Sequence, residues 1–392
     1  MLNRFSEEKR IYFDWAASSP YSPGEFCAQE RLAPYGNPSS QHREGREAKA
    51  ALEDARLRCA AVLNVPPASL YFTSGGTESN SIALFSNLMR KGKGRVISSL
   101  AEHSSVREAM ETLEKMGKPA GSISVDSLGR VTPVDFEKAI AKYADVRFAS
   151  CMAVNNETGV ITDIAALRDV IRKSSSAPLH LHCDLVQAAG KIPLDIEGWE
   201  IDSASISAHK ISGPRGIGLL YLRRKSAFDV FYSGGGQENG IRGGTENTRG
   251  AVELADCLEK YAEERTVKAN YVRAKERWKK LINSLSAMER CTIIPSSRTG
   301  EDAKDEFSPY ILQAAFKDIP GEVMARALDD LGFAVSTGSA CSSSSPERPV
   351  LSAMGVPENL RIEGIRISQG WSTADEEIDM LLDAIAEVLK FL

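Results

Sequence analysis

The sequence predicts an α/β protein, with a mainly parallel central sheet in a large domain and a smaller α+β domain on its C-terminal side. Three observations lead there. From about residue 45 to 225, apolar runs of strand length alternate with amphipathic helical segments. Strands connected through helices pair in parallel beneath helical layers. After a glycine-rich stretch at 234–250 the texture turns charged and helical, and then an α+β pattern follows. Finally, 392 residues exceed what one compact core usually organises, so two domains are expected. We place the large domain at 21–255 and the small one at 256–392, with residues 1–20 as an N-terminal segment packing with the small domain.

The elements follow in order. Residues 47–63 have the alanine-rich periodicity of a helix, 70–73 read as a strand, 79–90 as a helix and 95–99 as a strand. Further strands are expected at 146–154, 179–183 and 217–222, with helices such as 163–173 between them. In the charged stretch 251–290, Leu254, Leu258 and Tyr261 stand at helical spacing, which predicts one or two long helices. A polar loop at 295–305 precedes a strand at 311–316, a helix at 322–331 and strands at 333–336 and 365–368. The last helix is expected to open at the capping box Thr373-x-x-Glu376.

Composition narrows the function. With 42% hydrophobic and 26% charged residues and a formal charge of −5, the chain reads as an ordinary globular protein with no polyanion-binding surface. The opening MLNRFSEEKRIYFDW lacks a signal-peptide pattern, and no apolar run approaches the ~20 residues that span a bilayer. A cytoplasmic protein without nucleic-acid or membrane partners is expected. Seven cysteines (27, 59, 151, 183, 257, 291 and 341) are scattered and never form C-x-x-C, which favours reduced thiols over a disulfide frame or structural zinc. Six read as small buried hydrophobes. Cys341 differs, because it lies in VSTGSACSSSSP, a segment too soft to build a core.

Three motifs suggest chemistry. FTSGGTE (72–78) joins a strand to a helix, where glycines and a helix start favour a phosphate, although a capped turn without ligand has the same pattern. SAHKISGPRG (207–216) sets a lysine beside a histidine after a strand. Such a lysine can form a Schiff base with an aldehyde cofactor, or simply sit on a surface loop. HLHCD (180–184), as a strand, puts His180, His182 and Asp184 on one face. That face could ligate a metal, pack as a buried strand, or offer Asp184 to a protonated pyridine nitrogen, with Gln187 nearby.

Taken together the motifs resemble the cysteine desulfurases of the class V aminotransferase family, enzymes of the pyridoxal 5′-phosphate (PLP)-dependent transferase fold type I. The matching segments are FDWAASSP (13–20), GNPSSQHREG (36–45), YFTSGGTESN (71–80), AEHSSV (101–106), VNNETG (154–159), HCDLVQAAGK (182–191), SISAHKISGPRGIG (205–218), GGGQENGIRGGTEN (234–247), STGSACSS (336–343) and IRISQG (365–370). They run in the family's order over nearly the whole chain.

The resemblance implies that Lys210 binds PLP covalently and that His103 stacks on its ring and takes part in proton transfer. It implies that Asp184 pairs with the ring nitrogen and Gln187 approaches the ring hydroxyl. Gly76, Thr77, Ser207 and His209 would hold the phosphate, with Thr245 reaching the phosphate of a partner subunit in a homodimer. Asn156 and Arg366 would bind the substrate carboxylate, while Asn37 and His42 belong to a segment that lines the site in relatives. No metal is implied.

The implied reaction converts L-cysteine to L-alanine. The substrate sulfur passes to Cys341 as a persulfide and then to acceptor proteins, such as an iron–sulfur scaffold, for cluster assembly or tRNA thiolation. A thiol visiting two places needs a mobile tether, so residues 339–346 are expected to be poorly ordered. Ser-Ala before Cys341 and serines after it resemble the branch with a long catalytic-cysteine loop. A selenocysteine lyase, another class V β-lyase and a non-catalytic scaffold remain the alternatives. Trp15, Asn239, Gly243, Gln313, Lys317 and Gln369 depart from the family's usual residues.

Overall fold

The protein is described from a computed structural model, over residues 10–21, 34–89, 94–143, 145–174, 178–225, 228–230, 234–300, 306–338 and 348–392. Its centre is a seven-stranded sheet. In chain order the strands are β2 (Leu70–Thr73), β3 (Arg95–Ser99), β4 (Ala120–Ile123), β5 (Val146–Ser150), β6 (His180–Asp184), β7 (Ser203–Ser207) and β8 (Gly218–Leu222). They lie in the order β2-β8-β7-β6-β5-β3-β4. Every pairing is parallel except the two that β8 makes, with β2 and β7. The mainly parallel sheet expected from the alternating pattern is therefore present.

Helices cover the sheet. They are α1 (Arg43–Leu63), α2 (Gly76–Met89), α3 (Ser104–Lys115), α4 (Pro133–Lys142), α5 (Ile164–Ser174) and α6 (Thr248–Tyr261). Alanine explains the close seat of α1: Leu52, Ala55, Cys59, Ala60 and Leu63 are buried in one cluster with Leu254, Ala255 and Leu258 of α6. Small side chains let two helices approach while still removing apolar surface from water. Asn64 ends α1 in a left-handed turn at φ 52°.

A second core forms beyond α7 (Glu264–Ser286). It holds a three-stranded antiparallel sheet of β9 (Cys291–Ile294), β10 (Ile311–Phe316) and β12 (Gly364–Ser368), ordered β12-β10-β9. Helices α8 (Gly321–Asp330), α9 (Pro349–Ala353), α10 (Glu358–Glu363) and α11 (Asp375–Phe391) accompany it. Trp278 and Leu281 of α7 pack there with Phe316, Ile367 and Leu381. The N-terminal strand β1 (Ile11–Tyr12) joins this core, pairing in parallel with β11 (Phe333–Ala334), and Ile11 and Phe13 are buried within it.

Several boundaries differ from the sequence reading. The strand begun at Val146 stops at Ser150, because the backbone from Cys151 onward bonds to the ends of β6 instead, Cys151 N–H to His182 O and Ala153 N–H to Asp184 O. The last helix opens one residue later than expected. Its cap is Ala374, whose N–H donates to Glu377 Oε2 at 3.0 Å, while the Thr373 hydroxyl accepts from Gly370 N–H. Strand β11 is shorter than expected, at two residues.

The departures find structural uses. Gln369 is fully buried and donates to the carbonyls of Ala274 and Pro309. Trp15 meets Trp371 edge to face at 5.1 Å between ring centres. Cys59, Cys151, Cys183 and Cys257 are buried and in no disulfide and Cys291 is partly covered, whereas Cys27 and Cys341 lie outside the described residues. Among the described residues, no helix is long and apolar enough to cross a membrane.

Candidate active site

The ends of strands β2, β3, β5, β6 and β7 converge on one crevice, the position where open α/β sheets commonly bind ligands. A cavity of about 230 Å³ opens there. Gly76, Thr77, His103, Asn156, Asp184, Gln187, Ser207, His209, Lys210 and Arg366 all line it. These residues come from segments up to 290 positions apart, and the fold gathers them. Thr245 stands elsewhere, in a smaller pocket with Ser74, Gly216 and Arg242. Cys341, with the mobility expected for 339–346, falls outside the described residues. Neither Asn37 nor His42 reaches the cavity; His42 caps α1, accepting from Gly45 N–H at 3.3 Å, and Asn37 accepts from Ser39 N–H.

Lys210 follows β7 on a single helical turn. Its Nζ donates to Ala16 O at 2.5 Å and Ala17 O at 2.8 Å. Ala16 O also accepts from Gln187 Nε2 at 2.9 Å, and Gln187 Oε1 accepts from Lys191 Nζ at 2.6 Å. Lys191 is a second lysine, 1% exposed, and sequence reading missed it. Burial, helped by Lys210 and Arg366, pushes its amine well below the ordinary lysine range. The signal was available in HCDLVQAAGK, where Lys191 stands four positions after Gln187.

Asp184 ends β6 and is 3% exposed. Its Oδ1 accepts from Val186 N–H at 2.9 Å and its Oδ2 from Asn80 Nδ2 at 2.8 Å. Asn80 Nδ2 also donates to Ser105 Oγ at 2.9 Å, and its Oδ1 faces His182 Nε2 at 2.9 Å. Ser203 Oγ lies between His182 Nδ1 and His180 Nε2, at 2.8 and 2.7 Å. Both strand histidines are thus engaged by hydroxyl and amide groups, and His180 stacks on Phe148 at 4.8 Å. Burial pushes His182 down to about 3, against the pull of Asp184. Among the described residues, no group of three or more His, Cys, Asp or Glu is placed to hold a metal ion.

His103 caps α3. Its Nδ1 meets Ser105 N–H at 3.1 Å and Ser105 Oγ at 2.9 Å. Just before it, Glu102 is buried and accepts from Met152 N–H. Burial and the neighbouring Asp184 raise its carboxyl well above the usual range. Across the cavity, Arg366 is 1% exposed and already engaged. Its guanidinium donates to Asn156 O at 3.0 Å and pairs with Asp14 at 2.8 Å. Asn156 Oδ1 is buried without a partner among the described residues.

The phosphate-suited end is built by backbone. Gly75 has φ 150°, a conformation that side chains rarely adopt, and leads into the first turn of α2. A Cβ at Gly76 would stand 2.6 Å from Val186 Cγ2. His209, half-buried beside Lys210 and Arg215, is pushed down to about 4, chiefly by loss of solvent.

Known proteins resemble the chain over nearly its whole length. The chain is similar to the cysteine desulfurase IscS of Dictyoglomus turgidum, 35% identical over 98% of this chain and 96% of that protein. The IscS of Vibrio cholerae serotype O1 is 36% identical over 96% of this chain and 91% of its own length. A solved structure described as a NifS-like protein superposes with a TM-score of 0.87 at 34% identity, over 98% of this chain and all of that one. The architecture is that of fold-type-I PLP enzymes. Because the aminotransferase class-V pattern runs from residue 11 to 381, from the N-terminal strand into the last helix, the chain belongs to the class V aminotransferase family.

Proposed function

We propose that the protein is a PLP-dependent cysteine desulfurase. The observation that carries this reading is the meeting of Lys210, His103, Asp184, Gln187, Asn156 and Arg366 around one cavity. The residues suit PLP. A buried carboxylate, Asp184, can hold a protonated pyridine nitrogen. Gly75 and Gly76 allow close approach to the N–H groups that begin α2, which favour a phosphate, with Thr77, Ser207 and His209 beside them. Lys210 supplies the amine that binds the aldehyde, and Gln187 offers an amide to the ring hydroxyl. Thr245, remote from the Lys210 cavity, supports a role across a homodimer interface.

Bound there, PLP supplies an electron sink for bonds broken at the Cα of an amino acid. The chain's own residues do the rest. Arg366 and Asn156 orient the carboxylate, and Asp14 must yield part of the guanidinium for that contact. Asp184 keeps its charge in place through Asn80 and Val186. Cys341 takes the sulfur of L-cysteine as a persulfide, leaving alanine, and passes it to acceptor proteins such as an iron–sulfur scaffold. A cytoplasmic setting suits such a thiol relay. We also infer a large cofactor domain over 21–255 and a small one over 256–392, with the strand near the N-terminus added to the small domain. Two separate apolar cores support that division.

Absorption spectroscopy tests the reading. Protein purified with PLP should show the visible band of lysine-bound cofactor, and Lys210→Ala should abolish it. Cys341→Ala should keep the band while transferring no persulfide sulfur. A colourless protein that PLP cannot reconstitute would sink the proposal, as would full sulfur transfer by Cys341→Ala.

A further inference from the structure

The hydrogen-bond network beneath the cavity fixes the protons on His103. Asp184 accepts at both carboxylate oxygens, so the Asn80 atom facing it is the NH₂ group and the amide cannot be flipped. Asn80 then gives its second N–H to Ser105 Oγ, and the serine hydroxyl proton stays available to His103 Nδ1. Independently, the Ser105 backbone N–H points at the same nitrogen and can only donate. Nδ1 of His103 is therefore an acceptor from two donors, and a neutral ring carries its proton on Nε2. On the other side of Asn80, Oδ1 requires the proton of His182 on Nε2, so every polar group in the chain has one consistent role.

This leaves His103 with no lone pair to offer. Nε2 already holds a proton, and among the described residues nothing accepts it. Protonating Nδ1 would set an N–H against the Ser105 N–H. Burial disfavours the doubly protonated ring as well; Asp184 opposes that effect, while Lys210, Arg107 and Arg366 reinforce it.

We propose that His103 acts in the reaction as an Nε2–H hydrogen-bond donor to an anionic group of the substrate, such as a thiolate sulfur, and not as a base. The Ser105 backbone N–H holds this tautomer, and Asn80 and the Ser105 hydroxyl are placed to support it. This rests on the desulfurase reading for its role, but not for its geometry.

Protein labelled with 15N-histidine, free and PLP-loaded, tests the tautomer by NMR near neutral pH, with His103→Gln assigning the signal. The expected result is a protonated Nε2 and a bare Nδ1, unchanged in Ser105→Ala, which keeps the backbone donor. A proton on Nδ1, alone or with Nε2, overturns the proposal. Kinetics provide a second arm. His103→Gln keeps a donor but cannot be a base, so it should retain more turnover than His103→Ala and the acid limb of the wild-type pH profile. Loss of that limb in His103→Gln would also overturn the proposal. If the protein fails to turn over cysteine while the NMR result holds, the desulfurase reading fails and the tautomer stands.

Discussion

A histidine sealed between Ser203 and Asn80 has both ring nitrogens committed, and its environment makes a pH-dependent stability. His182 is fully buried, and its folded value of about 3 lies below the ordinary 6.5. Between those values the unfolded chain takes up a proton that the folded chain refuses. Stability from this group is therefore intact above the upper value and is lost as pH falls toward the lower one. From about pH 7 to about 4.5, urea denaturation of the wild type should lose on the order of 2–3 kcal/mol more than His182→Gln does. Equal losses would show that His182 accepts its proton in place. The sequence revealed that His180, His182 and Asp184 share a face, since that follows from strand period alone. It could not reveal Asn80, which comes from α2 more than a hundred positions away and converts a possible ligand trio into a hydrogen-bond chain. Lys191 stood in plain view four positions after Gln187, but its near-complete burial is a property of the fold.

At the scale of elements, apolar runs bounded by turns were legible to the residue: Leu70–Thr73, Arg95–Ser99 and Ile311–Phe316 form strands over those limits. Helix starts were not. α2 begins at Gly76, three residues before Ser79, because its first turn is shaped by close approach to the crevice and not by propensity. Strands Ala120–Ile123 and Cys291–Ile294 are short, and they depend on β3 and β10 as neighbours. The start of α2 carries its own prediction. In Gly76→Ala the new methyl would lie 2.6 Å from Val186 Cγ2, so the first turn must move away from the cavity. Displacement of this kind costs about 1–3 kcal/mol, and PLP should bind on the order of tenfold more weakly or worse, with helical circular dichroism preserved. Unchanged PLP affinity by fluorescence titration would show that the phosphate sits elsewhere.

For the whole molecule, the decisive connection is the segment 11–19. It leaves β11, bonds through Phe13 and Ala16 to Ser368, and ends at His209 and Ser212 through Ser19. On the way Ala16 and Ala17 hold Lys210, and Asp14 holds Arg366. The segment therefore ties the second core to the rim of the cavity. Gly370 is its weak point, since a Cβ there would stand 2.1 Å from the Trp15 ring. Gly370→Ala should displace Trp15 and destabilise the fold by about 1–3 kcal/mol. It should also broaden the visible band of the PLP-loaded protein. A native melting curve together with a native spectrum would contradict this account of the segment.

That same segment imposes an order on biosynthesis. Asp14 and Arg366 are 352 positions apart, so the residue that leaves the ribosome early waits for one that leaves very late. Lys210, Asp184 and His103 can all be translated, and the large sheet assembled, while the carbonyls of Ala16 and Ala17 still lack the support of Ser368. The nascent chain thus carries its amine without a finished cradle until translation has passed Gln369. Pairing of such distant partners is slow, and a chain truncated before β12 would carry Lys210 while the stretch that holds its amine lacks the Ser368 contacts.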